Sequence, residues 1–87
     1  GGNVAVGLDA LGSNTTASFN VAVGSDSMRA NTTGTSNVAV GQGALYSNTT
    51  ASHNTAVGFQ SLQANTTGTN NTAVGRQSLY RCIWYYW

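Results

Sequence analysis

The string Asn-Val-Ala-Val-Gly stands at residues 3–7, 20–24 and 37–41, and returns as Asn-Thr-Ala-Val-Gly at 54–58 and 71–75. The interval is seventeen residues each time, so residues 3–87 divide into five units starting at Asn3, Asn20, Asn37, Asn54 and Asn71 with no insertion. A period kept this strictly implies that each unit forms one layer stacked on its neighbours. Seventeen residues cannot hold a helix pair, or a strand and a helix with both turns. The short segments LDALG and FQSLQ fall below the ~12 residues at which an isolated helix becomes marginal. One coil of a parallel β-solenoid does fit, expected here as two strands of about 4 to 5 residues joined by tight turns. The fold class expected is therefore all-β, with five 17-residue coils.

Stacked coils lie about 4.8 Å apart, so equivalent residues form ladders along the axis. Position 4 of the unit is always Val (Val6, Val23, Val40, Val57, Val74) and position 9 is Leu11, Met28, Leu45, Leu62 and Leu79. These ten residues are the expected core. Position 2 changes from Val4, Val21 and Val38 to Thr55 and Thr72, as at the edge of a core. Position 3 is always Ala, which predicts a face crowded by the opposite wall or by another subunit. Gly7, Gly24, Gly41, Gly58 and Gly75 end each strand and are expected to turn the corner, because glycine tolerates a left-handed backbone. Asn at position 1 (Asn3, Asn20, Asn37, Asn54, Asn71) and at position 12 is expected to form side-chain ladders between coils, as stacked amides do. A finer alternation, SNTTAS in units one and three against ANTTGT in units two and four, points to duplication of a 34-residue pair.

The recurring NVAVG and NTAVG strands, each followed by a short spacer and an Asn-Thr-Thr turn, resemble the head repeats of trimeric autotransporter adhesins (the YadA-like head) and similar repeats of phage tail fibre proteins. Those families carry a strand motif of the form Asn-Ser-Val-Ala-Ile-Gly. The resemblance covers residue 3 to about residue 80; the period is longer than the usual head repeat, and the last seven residues abandon the pattern. It implies a left-handed β-roll assembled as a homotrimer, a shaft or head segment supporting attachment to a host cell or surface. It also implies an extracellular location, on a bacterial surface or a virion fibre, and a host-surface receptor or glycan as partner. Three thin coils around one axis would bury faces that a single chain of 87 residues leaves open. The repeat domain is assigned to residues 1–80 and an aromatic cap or tail to 81–87.

Chemistry is sparse. Charged residues make up 6 % of the chain, against roughly 25 % in ordinary soluble domains, and Lys, Glu and Pro are absent. A net charge of +1 offers no basic patch for nucleic acid. The chain is 40 % hydrophobic with regular placement, which argues for order and not for disorder. No apolar run approaches the roughly 18 residues of a membrane helix, and no secretory signal is present. An exported protein would carry its signal elsewhere, so the chain reads as a segment of something longer. Cys82 has no intrachain partner for a disulfide.

The sole imidazole, His53, sits at position 17 beside Phe19, Ser36, Asn70 and Trp87 in the other units, a variable turn and not a catalytic position. Asp9 and Asp26 share position 7 of adjacent units; paired carboxylates can hold a cation, but with Arg29 nearby a solvated pair is the simpler reading. The Asn-Thr-Thr runs and Asn70-Asn71-Thr72 match the glycan acceptor pattern, yet their recurrence reads as turn chemistry. No enzyme activity, cofactor or metal is expected. The tail Trp84, Tyr85, Tyr86 and Trp87 admits three readings: a cap over the last coil, a sugar-stacking contact, or a sequence foreign to the repeat. Two rivals to the fibre are an ice-binding solenoid, suggested by threonine ladders, and a self-assembling extracellular filament built by stacking open ends. Against ice binding, adjacent threonines in a strand send their hydroxyls to opposite sides.

Overall fold

The computed structural model describes residues 1–80, so the aromatic tail, with Trp84, Tyr85, Tyr86 and Trp87, lies outside the described residues. Five strands follow one another: β1 (Val4–Val6), β2 (Val21–Val23), β3 (Val38–Val40), β4 (Thr55–Val57) and β5 (Thr72–Val74). They form one parallel sheet in chain order, with register offsets equal to the repeat, so Ala22 pairs with Ala5 on one side and Ala39 on the other. The architecture is an all-β parallel solenoid of stacked coils, as the period requires.

Each coil contains one strand of three residues, shorter and fewer than the two strands expected from length alone. The reason lies after the glycine. In the second coil, the N–H groups of Ser27, Arg29 and Asn31 donate to the carbonyls three residues back, on Gly24, Asp26 and Met28. Three tight turns thus follow in succession. The first two have positive φ at their third residue, 61° at Asp26 and 50° at Met28, the sign a type II turn demands. Between the turns, backbone bonds run to the neighbouring coils: Asp26 N–H to Leu8 O, and Met28 N–H to Ala44 O. The sheet-like stacking therefore continues around the coil without regular strand geometry.

The interior is narrower than expected. Alanines 22, 39, 56 and 73 are buried, together with Leu11, Met28, Leu45 and Leu62. The valines of position 4 are not the core: Val23, Val40 and Val57 are partly exposed, and Val6 and Val74 are exposed at 57 % and 68 %. Strand alternation forces this, because position 3 and position 4 point to opposite faces. A coil this thin has room for a methyl group facing the Leu or Met of the opposite wall, and no room for a valine as well. The crowding expected at Ala is thus that of the opposite wall. Leu79 is the one member of its ladder outside the core, 50 % exposed, with no coil among the described residues following it.

Position 9 also carries strain, with φ between 49° and 54° at Leu11, Met28, Leu45, Leu62 and Leu79. A left-handed non-glycine residue costs about 1–2 kcal/mol. Full burial of a Leu or Met side chain contributes about 1.5–3 kcal/mol, so the ladder more than offsets its own backbone wherever a coil covers it. The recurring corner glycine is a matter of space as well as φ. A Cβ on Gly41, at φ 127°, would stand 2.6 Å from the carbonyl oxygen of Gly58.

The asparagines close each coil. At position 1 the Nδ2 groups of Asn20 and Asn37 donate across the coil to Gly34 O and Ala51 O, 2.8 Å in each case. Their Oδ1 atoms accept from the next coil's backbone, Asn37 N–H and Asn54 N–H, at 2.9 Å. This ladder is therefore side chain to backbone, in place of the amide-to-amide ladder expected. Position 12 does form an amide ladder, with Asn48 Nδ2 donating to Asn31 Oδ1 and Asn65 Nδ2 to Asn48 Oδ1, both at 3.0 Å. Among the described residues no buried side-chain polar atom lacks a partner.

Candidate functional site

Three outer faces carry whatever the described residues present to a partner. The first is the outer face of the sheet, where positions 2 and 4 stand side by side: Val4 and Val6, Val21 and Val23, Val38 and Val40, then Thr55 and Val57, Thr72 and Val74. No element among the described residues packs against it. Val4 and Val6, its members in the first coil, are 49 % and 57 % exposed. Sequence reasoning placed the position 4 valines in the core and position 2 at its edge, and the signal that would have placed both correctly is the invariant Ala between them. The narrowest residue of a solenoid strand marks the tightest space.

The second face lies at positions 13 to 16. Ala17, Gly34 and Ala51 of position 15 are buried, so the residues on either side of them turn outward. Thr16, Thr33, Thr50 and Thr67 form an exposed column, with Ser18, Thr35, Ser52 and Thr69 beside it. Thr15, Thr32 and Thr49 instead direct their hydroxyls to the carbonyl of the residue seventeen positions on, so they are spent within the stack. A Thr-x-Ser/Thr pattern across the inward residue therefore exists, offset by one from the adjacent Thr-Thr pair visible in the sequence. Thr35 and Ser52 hydroxyls are already 3.2 Å apart, one hydrogen bond linking their coils.

The third is the charged corner at positions 6, 7 and 10, which holds every described charged side chain: Asp9, Asp26, Arg29 and Arg76. Arg29 Nη1 stands 3.8 Å from Asp26 Oδ1 and donates to Tyr46 OH at 3.4 Å. Tyr46, and after it the carboxylates of Asp9 and Asp26, push the Arg29 pKa above its ordinary value. The pair of aspartates is thus accompanied by a guanidinium, as in the solvated reading. Below it Gln77 Nε2 donates to Gln60 Oε1 at 3.0 Å, and the Arg76 guanidinium lies over the Phe59 ring at 5.4 Å. No group of three or more His, Cys, Asp and Glu gathers among the described residues.

His53 is exposed, as a variable turn residue should be. The Asn-Thr-Thr asparagines Asn31, Asn48 and Asn65 are buried with their amides bonded, so the folded coil hides them from modification. Asn70, in the remaining acceptor pattern, is exposed. Comparison with family models, curated proteins and solved structures finds no match to this chain.

Proposed function

We propose that the chain is a structural segment of an extracellular trimeric fibre or adhesin, a shaft or head that holds a binding tip away from a bacterial or virion surface. The observation that supports this most is the outer valine face. Eight valines and two threonines run along one side of the sheet with no partner element among the described residues. Monomeric proteins seldom leave a contiguous apolar strip uncovered, and such strips mark interaction surfaces. A symmetric set of copies around one axis would cover it, as the repeats this chain resembles do. The role is mechanical, carried by the stacked backbone bonds, the asparagine brackets and the low surface charge. The left-handed roll and a host receptor or glycan as partner belong to the same proposal.

The test is the mass of the purified chain in solution, by light scattering, with Val23→Asp and Val40→Asp as variants. A trimer lost in both variants supports the reading; a folded monomer for the unaltered chain overturns it.

The hydroxyl face supports a second reading, ice binding. Its two outward columns repeat at the coil spacing on a side free of described charged side chains. Thermal hysteresis of a cooled solution tests it, and its absence overturns it.

A further inference from the structure

We infer that Asn70 is an acceptor for an N-linked glycan, the one position among five acceptor patterns where the stacked coils can carry a sugar. The inference rests on the extracellular location proposed above, because such transfer belongs to an export route, and it does not depend on how many chains assemble.

Five triplets match the pattern: Asn-Thr-Thr starting at Asn14, Asn31, Asn48 and Asn65, and Asn70-Asn71-Thr72. The first four put their asparagine at position 12, where the amide belongs to the stack. Asn14 Nδ2 donates to Ala17 O at 3.3 Å, Asn31 Nδ2 to Gly34 O at 3.0 Å, Asn48 Nδ2 to Ala51 O at 3.1 Å and Asn65 Nδ2 to Gly68 O at 3.0 Å. Asn31, Asn48 and Asn65 are buried. A sugar on any of these nitrogens would have to fit inside a closed coil and would displace the bond that closes it. A chain modified there does not complete the stack.

Asn70 stands at position 17, on the bend between the hydroxyl face and the strand. Its φ is 59°, and Phe19, Ser36 and His53 at the same position have 61°, 57° and 62°. Asparagine enters this left-handed region more readily than most residues. The conformation turns the side chain outward: Phe19 is 70 % exposed, and His53 is exposed as well, although another coil follows each of them. Exposure at Asn70 is therefore a property of the position and not of its place along the stack. The middle residue of the triplet faces the other way. Asn71 continues the position 1 ladder, with its N–H donating to Asn54 Oδ1 at 2.9 Å, so Asn70 and Thr72 stand outside on either side of it.

The triplet exists because of one change on the outer face of the sheet. Position 2 is Val4, Val21 and Val38 in the first three coils, and Thr55 and Thr72 in the next two. Thr72 completes the pattern with Asn70. Thr55 does not, because His53 occupies the place of the asparagine. In the transfer, Asn70 Nδ2 forms a bond to the anomeric carbon of an oligosaccharide carried on a lipid diphosphate. The bond from that carbon to the diphosphate oxygen breaks, the diphosphate leaves with the electron pair, and one amide proton passes to a base of the transferase.

The test sends the full 87-residue chain through the secretory pathway of a yeast cell behind a cleavable signal, and reads the intact mass before and after peptide N-glycosidase. The signal forces export, so the outcome reports on the acceptor and not on the native location. One glycan per chain is expected, and Asn70→Gln should lose it. Thr72→Val should lose it too while keeping the fold, since valine is what the first three coils carry at that position, and Thr72→Ser should retain it. His53→Asn completes the same triplet with Asn54 and Thr55 one coil earlier, and should gain a second glycan. Circular dichroism checks that each variant folds. A secreted chain without a glycan, a glycan that survives Asn70→Gln, or a folded His53→Asn chain with no second glycan overturns the inference. Light scattering after enzymatic removal of the sugar reads the number of chains by itself, so failure of the acceptor and failure of the trimer register separately.

Discussion

The backbone N–H of Asn54 donates to Oδ1 of Asn37 at 2.9 Å, while Asn37 Nδ2 reaches 2.8 Å across the coil to Ala51 O. One buried amide thus fixes both the spacing between two coils and the closure of its own. Asn37→Ala leaves the Asn54 N–H without a partner, whereas Ala51 O keeps its bond from Asn48 Nδ2 at 3.1 Å. The expected loss is about 1–3 kcal/mol, the cost of one orphaned buried donor, measured by urea unfolding.

Asn37→Asp separates the two halves of that bracket. The carboxylate can still accept from Asn54, but it turns a second oxygen toward Ala51 O in a buried site. Burial raises the folded carboxyl pKa above its unfolded value, so stability is present while the acid is protonated and falls as pH rises through the carboxyl range. The variant should unfold at lower urea concentration at neutral pH than at acidic pH, relative to the unaltered chain. Equal losses at both pH values would refute the bracket.

Gly41→Ala and Gly75→Ala test whether space or backbone conformation makes the corner glycine invariant. Both have left-handed φ, 127° and 124°. Only at Gly41 would the new Cβ collide, 2.6 Å from Gly58 O. A strained φ costs on the order of 1–3 kcal/mol, so Gly75→Ala should lose that much and Gly41→Ala distinctly more. Thermal unfolding of the two variants side by side gives the difference.

Leu45→Ala, in the middle of the core ladder, should lose about 2–5 kcal/mol, and Val40→Thr, five residues earlier, no more than about 0.5 kcal/mol in a dissociated chain. The contrast shows what the sequence made legible. The period, the coil length, the parallel register and the Leu/Met core could all be read from Leu11, Met28, Leu45 and Leu62 recurring every seventeen residues. The facing of the strand could not, because hydrophobicity favours valine inside while the actual constraint is coil width, which favours Ala39. The positive φ of Leu45 was equally hidden, since a leucine gives no local sign that it takes the third place of a type II turn. The outer surface was misread for the same reason: once Val40 moves outside, the apolar face appears, and once Ala51 moves inside, Thr50 and Ser52 become neighbours on one side.

Thr32→Val and Thr33→Val differ by one residue and should differ in kind. Thr32 Oγ1 donates to Thr49 O at 3.3 Å, tying one coil to the next, while Thr33 is exposed in the outer column. Removing the first hydroxyl takes away a hydrogen bond worth about 0.5–1.5 kcal/mol, with Thr49 O still accepting from the backbone. Removing the second should leave unfolding unchanged within about 0.5 kcal/mol. If the hydroxyl face orders water, thermal hysteresis should fall with Thr33→Val and Thr50→Val and stay with Thr32→Val. If neither change alters freezing while both chains stay folded, the outer column has no part in binding ice.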